Sequence, residues 1–225
     1  MKRSGPLLTL VTVAVLGAVL FIANSVGNPA NTSTSNPAAT SAPAAAQPAP
    51  AAPAPPPAEA QPAVKEEVFA GWSAGKEVSV AIAVKDARAV AYICDGKKVE
   101  SWLEGSVKGD QISLKGKNNA SITGTVSTTD SNGTVAIAGK QWAFAAKAVE
   151  KPAGLYEGRA DVRGVATRIG WIVQADGTQT GIRSAAGAEP QAAPVLDPAN
   201  AGGVVVDGVP VTVTSITGGD TVIAK

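Results

Sequence analysis

From Phe69 onward, apolar residues recur at every second position in short runs. Val78, Val80, Ile82 and Val84 alternate with Ser79, Ala81, Ala83 and Lys85. Ala120, Ile122, Gly124, Val126 and Thr128 alternate with Ser121, Thr123, Thr125 and Ser127. Successive side chains of a strand point to opposite faces, so this period predicts strands with one buried and one wet face. The pattern returns in Trp142, Phe144 and Ala146, in Val165, Thr167, Ile169, Trp171 and Val173, and in Val209, Val211 and Val213. Between the runs lie Asp95-Gly96, Gly109-Asp110, Asn132-Gly133, Gly139-Lys140, Asp176-Gly177 and Asp207-Gly208, pairs that reach positive φ cheaply and so close hairpins. No stretch carries a long apolar stripe of helical period. The prediction is an all-β antiparallel meander of about ten to twelve short strands, closed as a barrel or stacked as a two-sheet sandwich. Lys151-Pro152-Ala153-Gly154 marks a subdivision, and the Ala- and Pro-rich stretch from Ala185 to Ala201 reads as a long surface loop.

The first 65 residues have a different texture. Leu7 to Ala23 is an apolar run behind Lys2 and Arg3, the arrangement of an export signal. As a helix, Pro6 to Ala23 reaches about 27 Å, just short of a ~30 Å hydrocarbon core. We read residues 1–27 as a retained anchor with the rest of the chain outside the cytoplasmic membrane; cleavage near Val26, at the Ala23-Asn24-Ser25 site, is the alternative and gives a secreted protein. Residues 28–65 form a spacer: positions 28 to 63 hold 10 Pro and 14 Ala, a composition that cannot bury a core. Extended at ~3.1 Å per residue, it reaches on the order of 100 Å. Residues 66–225 form the β-rich extracytoplasmic domain.

Charge and chemistry narrow the function. From Val64 onward 17 Lys and Arg balance 17 Asp and Glu, so the basic footprint that nucleic acid or an anionic membrane surface requires is missing. Membrane association is expected through the N-terminal segment alone. Histidine is absent from the whole chain, which removes the usual general base, the Ser-His and Cys-His pairs and the commonest transition-metal ligand. No metal ligand set or cofactor motif stands out, and none is expected. The single cysteine, Cys94, has no internal partner for a disulfide, so the core alone must hold the domain.

Tyr92-Ile93-Cys94-Asp95-Gly96 followed by Trp102, then Leu155-Tyr156, then Gly170-Trp171-Ile172-Val173 before Asp176-Gly177, resemble a pattern of exported, often membrane-anchored envelope proteins of actinobacteria, of the mycobacterial type. The resemblance runs through signal, spacer and β domain in the same order. It implies an envelope location and no activity, and carries over no catalytic residue.

Cys94 closes a strand whose inward set reads as Val90, Tyr92 and Cys94, which makes it a small buried hydrophobe rather than a reactive thiol. Asp95, Glu100 and Glu104 are the carboxylates closest in sequence, and paired carboxylates are the one acid/base device left to a chain without histidine; as strand and turn positions they are ordinarily solvated. Trp102 stands between Glu100 and Glu104. In a regular strand these three share a face, and two carboxylates cannot both be buried without partners, so that face is expected to be wet and Trp102 to be a stacking platform for a sugar or a basic side chain. Alternatively the strand bulges and Trp102 folds back onto the core. The expected function is a non-catalytic envelope interaction module on a flexible stalk, binding a cell-wall polymer or an envelope protein through Trp102, Glu100 and Glu104. The rival is a histidine-independent hydrolase of wall glycans.

Overall fold

The computed structural model describes residues 64–223; the apolar run and the spacer lie outside the described residues. No described helix is long and apolar enough to cross a membrane. The chain is all-β. Eight antiparallel strands, each paired with its neighbours in sequence, close into a barrel: β1 (Glu66–Ser73), β2 (Ser79–Lys85), β3 (Arg88–Cys94), β4 (Glu100–Lys108), β5 (Gln111–Gly116), β6 (Ser121–Val126), β7 (Asp130–Ile137) and β8 (Lys140–Ala148). Closure comes from β1 pairing β8, with Phe69 opposite Ala148 and Ser73 opposite Phe144.

An eight-stranded barrel is just wide enough to be filled by side chains. Here Phe69, Val80, Ile82, Ile93, Leu103, Leu114, Ile122, Val135 and Phe144 fill it. The alternation read at Val80, Ile82, Ile122 and Phe144 belongs to this inward set; Val90, Tyr92 and Cys94, read as the inward face of their strand, are buried on its other side, beneath the second sheet. One turn signal misled: Asn132-Gly133 lies inside β7, with Gly133 directly opposite Gly124 of β6. A Cβ at Gly133 would collide with the backbone of Thr123 and Gly124, so this glycine serves a close approach of two strands rather than a hairpin. The β6–β7 turn falls earlier, where the Ser127 hydroxyl accepts from the N–H groups of Thr129 and Asp130.

A second sheet lies against the outside of the barrel. Its strands β9 (Gly154–Val162), β10 (Val165–Val173), β11 (Gln179–Ala185), β12 (Gln191–Ala192) and, after a small hairpin of β13 (Val205–Val206) and β14 (Val209–Pro210), β15 (Thr212–Ser215) run in the order β12-β11-β10-β9-β15. Of the two predicted alternatives the barrel is the one formed, with a further sheet stacked on it. The alternation at Val209, Val211 and Val213 spans two strands, broken at Val211.

The layer between barrel and sheet explains why β2 and β3 are buried on both faces. Ala70, Ala81, Ala83, Val90, Tyr92, Cys94 and Trp102 point away from the barrel interior and meet Leu155, Ile172, Ile182, Ile216 and Val222. Ala81 and Ala83, read as the wet face of β2, are fully buried. They alternate with valine and isoleucine in size rather than in polarity, and small side chains let the second sheet approach. Gln174 pins the layers together, its amide donating to the Gly71 carbonyl at 3.1 Å and the Ser79 hydroxyl at 3.0 Å.

The far face of the second sheet, with Tyr156, Ile169, Trp171 and Val173, is covered by Leu196, Val204, Val206 and Val211. The Ala185–Ala201 stretch is thus partly a lining. Leu196 is buried although Val195 beside it is 87% exposed. The Gln179 amide clamps the Leu196 backbone in both directions, at 2.6 and 3.0 Å, and the Trp171 indole donates to the Pro194 carbonyl at 2.7 Å.

The barrel has two distinct ends. The chain enters β1 at the end where β2 turns into β3 and β4 into β5. The β3–β4, β5–β6 and β7–β8 connections gather at the opposite end.

Candidate functional site

β4 is a regular strand, and its register is the one the sequence suggests: Tyr92 lies opposite Trp102, Cys94 opposite Glu100 and Val90 opposite Glu104. Glu100, Trp102 and Glu104 do share the face that turns away from the barrel interior. That face is not wet. The second sheet and the chain's last described residues cover it, and Trp102 is only 8% exposed. The expectation of an exposed indole is therefore corrected; its alternative is right that the ring is buried, but no bulge is needed to bury it.

The carboxylates tolerate this cover because each has found partners, as burial of an ionised group demands. Glu100 accepts from the Tyr92 hydroxyl at 2.5 Å and from the Ser184 hydroxyl of β11. Glu104 accepts from the backbone N–H groups of Val222 and Ile223 at 2.5 and 2.6 Å. Asp95 caps its own turn, its Oδ1 accepting from Lys97, Lys98 and Val99 at 2.8 to 3.0 Å. Partial burial raises the Asp95 pKa, but the N–H donors of Lys97, Val99 and Lys98 outweigh it and hold the carboxyl below its ordinary value. The sequence missed these partners because they lie from 84 to 119 residues away in the case of Ser184, Val222 and Ile223.

Trp102 is held between aromatic and cationic neighbours. Its ring centroid is 4.4 Å from that of Tyr92, tilted by 33°, and the guanidinium carbon of Arg168 stands 4.1 Å from it, a cation–π distance. Gly170 makes room for this cluster: a Cβ there would meet both the Tyr92 and Trp102 rings. Arg168 donates from Nε to Glu157 at 2.5 Å, and the same carboxylate oxygen accepts from Arg159 at 2.8 Å. Burial lowers the Arg168 pKa from its ordinary value, opposed by the Glu157 charge; a guanidinium remains cationic regardless. Sequence reading passed over Arg168. The signal was there, since it is the lone charge in Val165–Val173, an otherwise apolar strand.

A cleft of ≈ 460 Å³ opens beside this cluster. Glu100, Trp102 and Arg168 form one wall, Ile137 and Ile223 contribute apolar surface, and Lys117 of the β5–β6 connection stands exposed at the rim. The volume is in the range of small-molecule sites. A second depression of ≈ 650 Å³ runs past Trp72 and Phe144; its buried polar side chains, Ser73 and Gln174, are hydrogen-bonded. Two buried donors in the first cleft's wall, Trp102 Nε1 and Arg168 Nη2, have no hydrogen-bond partner among the described residues. Buried polar groups are nearly always paired, so two orphans in one wall need an explanation.

Cys94 lies in the same buried layer. Burial pushes its thiol up to about 12 from an ordinary 9.0, and burial followed by the nearby Cys94 and Glu100 raises the Tyr92 phenol well above its ordinary value. The unfolded chain ionises Cys94 from about pH 9, the folded chain only near 12, so stability from this group is complete below pH 9 and falls as pH rises through that window. The expected slope is up to ~1.4 kcal/mol per pH unit, with Tyr92 adding to it at higher pH. Urea unfolding at about pH 8 and about pH 11 checks this, with Cys94→Ala reducing the alkaline loss. A thiol that reacts with a disulfide reagent in the folded chain at about pH 8 would contradict the burial.

No group of three or more His, Cys, Asp or Glu among the described residues is placed to hold a metal ion. No protein-family model matches the chain, and no curated protein or solved structure matches it.

Proposed function

We propose that the β domain is a non-catalytic binding module of the cell envelope, carried outside the cytoplasmic membrane on the Pro/Ala spacer, and that the cleft beside Trp102 and Arg168 is its recognition site. The observation that carries this reading is the state of the three candidate carboxylates. Asp95 closes a turn, Glu104 ties down the Val222–Ile223 backbone, and Glu100 is engaged by Tyr92 and Ser184. A general acid or base must reach the reacting atoms. Groups already committed to internal donors suit a framework that shapes a cleft, and the role of Glu100 and Glu104 changes accordingly from direct contact to positioning of its wall.

The test uses the full chain in detergent, immobilised and challenged with solubilised wall polymers. Selective retention of one polymer is expected, lost in Ala138→Phe, an exposed substitution at the cleft mouth, with no new chain ends released from the polymer. Release of chain ends that disappears in Glu100→Gln would overturn the reading in favour of the hydrolase.

A further inference from the structure

We infer that the cleft takes an oxyanion, a carboxylate or a phosphodiester, carried on a body of monosaccharide size. The inference rests on the binding-module reading and deepens it. Its first support is the pair of orphan donors. Trp102 Nε1 and Arg168 Nη2 both offer hydrogen and neither can accept, so what completes them is an acceptor. Because the Arg168 guanidinium stacks at 4.1 Å over the Trp102 ring, the two donors belong to one stacked unit and a single ligand head can reach both. The guanidinium side chain is still 25% exposed. Both donors are covered, so binding requires the Arg168 side chain to shift from its place over Trp102.

The second support is charge. The charged side chains that line the cleft are Lys98, Glu100, Lys117 and Arg168, three cations and one anion; behind them Arg168 pairs with Glu157, Glu100 is held by two hydroxyls, and Lys98 pairs with Glu189 at 2.9 Å. Lys117 at the rim has no ion-pair partner among the described residues. The lining is therefore mainly cationic, which favours an anion and disfavours a cation. Ile137, Val222 and Ile223 give that body an apolar side to rest on, as one face of a pyranose ring requires.

The experiment follows the indole N–H signals of the full chain in micelles, labelled with nitrogen-15 at tryptophan. The chain holds four tryptophans, so four cross-peaks result, and Trp102→Phe assigns one of them. Titration with glucuronate is the carboxylate arm, with glycerophosphoglycerol the phosphodiester arm, and with glucose the neutral control. Expected is a saturable downfield shift of the Trp102 signal alone, at ~1 mM for a monosaccharide, in at least one anionic arm and not with glucose. The responding arm identifies the source of the anion. Lys117→Glu, exposed and outside the buried cluster, is expected to weaken the response roughly tenfold, and Arg168→Gln to abolish it with the other three indole signals unchanged. If Arg168→Gln fails to fold, Lys117→Glu carries the test. An unmoved Trp102 signal in both anionic arms, or an equal shift with glucose, overturns the inference. In that case, retention of wall polymer that is still lost in Ala138→Phe leaves the binding module standing without its anion.

Discussion

Trp102→Ala is expected to cost about 3–5 kcal/mol of folding stability, the usual range for deleting a buried indole. Three contributions set the size. The ring is 8% exposed in the layer between barrel and sheet, so its removal leaves a cavity bounded by Tyr92 and the Gly170 backbone that neither strand can collapse into without breaking register. The stacked Arg168 loses its aromatic partner, a further ~1 kcal/mol at a partly desolvated site. Against these, the variant no longer buries an unpaired indole N–H, which returns about 1–3 kcal/mol and places the net effect at the lower end of the range. Trp102→Phe separates the terms: it keeps most of the ring and removes the orphan donor, so its cost should fall below ~1.5 kcal/mol. Urea titration of both variants gives the comparison. A loss below about 1 kcal/mol in the alanine variant would mean that the indole is solvated after all.

Ending the chain after Val149 is expected to abolish the soluble monomer altogether. All eight barrel strands and their closing β1–β8 ladder are retained, and the interior keeps its packing, so by hydrogen bonding alone the barrel is complete. What is lost is the cover over Ala70, Ala81, Ala83, Val90, Tyr92 and Trp102, which become one continuous apolar face. Faces of that kind drive association. Glu100 and Glu104 simultaneously lose Ser184 and the Val222 and Ile223 backbone donors. Size-exclusion chromatography should find oligomers or insoluble material. A monomeric, cooperatively melting barrel would show that the second sheet is an accessory and not part of the fold.

The same layer marks the limit of what the sequence discloses. Period-two alternation located β2, β3, β4, β6 and β8 of the barrel but not β5 or β7, because the former each have one face whose surroundings are fixed by their own neighbours in the chain. It failed on β2 and β4 for a shared reason. Whether Ala81, Ala83 and Trp102 face water depends on a sheet formed about 70 to 100 residues later, and no local pattern encodes that. Ala81 and Ala83 did carry a trace, being apolar where a wet strand would be polar. The carboxylates beside Trp102 pointed the other way, and only distant partners such as Ser184 and Val222 reverse the sign of that argument. Asn132-Gly133 failed differently: glycine serves both positive φ and close backbone approach, and the dipeptide alone does not say which. Arg168, the residue on which the proposed site turns, was legible as the one charge in an apolar strand, and was overlooked because burial of β10 on both faces was not foreseen.

The two ends of the barrel have a mechanical meaning. The described chain begins at Val64, at the end remote from the cleft. A partner held in the cleft and a tether attached ahead of Val64 would therefore pull in opposite directions, largely along β1. Antiparallel ladder bonds lie across the strands, and β1 is laddered on both sides, to β2 from Glu66 to Trp72 and to β8 from Phe69 to Ser73. Tension applied this way shears two ladders at once, so their bonds share the force instead of opening one after another. The opposite attachment would be weak, since β15 has four residues and pairs only with β9, and a pull on it would peel. A domain that binds as proposed would thus be loaded from its N-terminal side in the direction that shears both ladders.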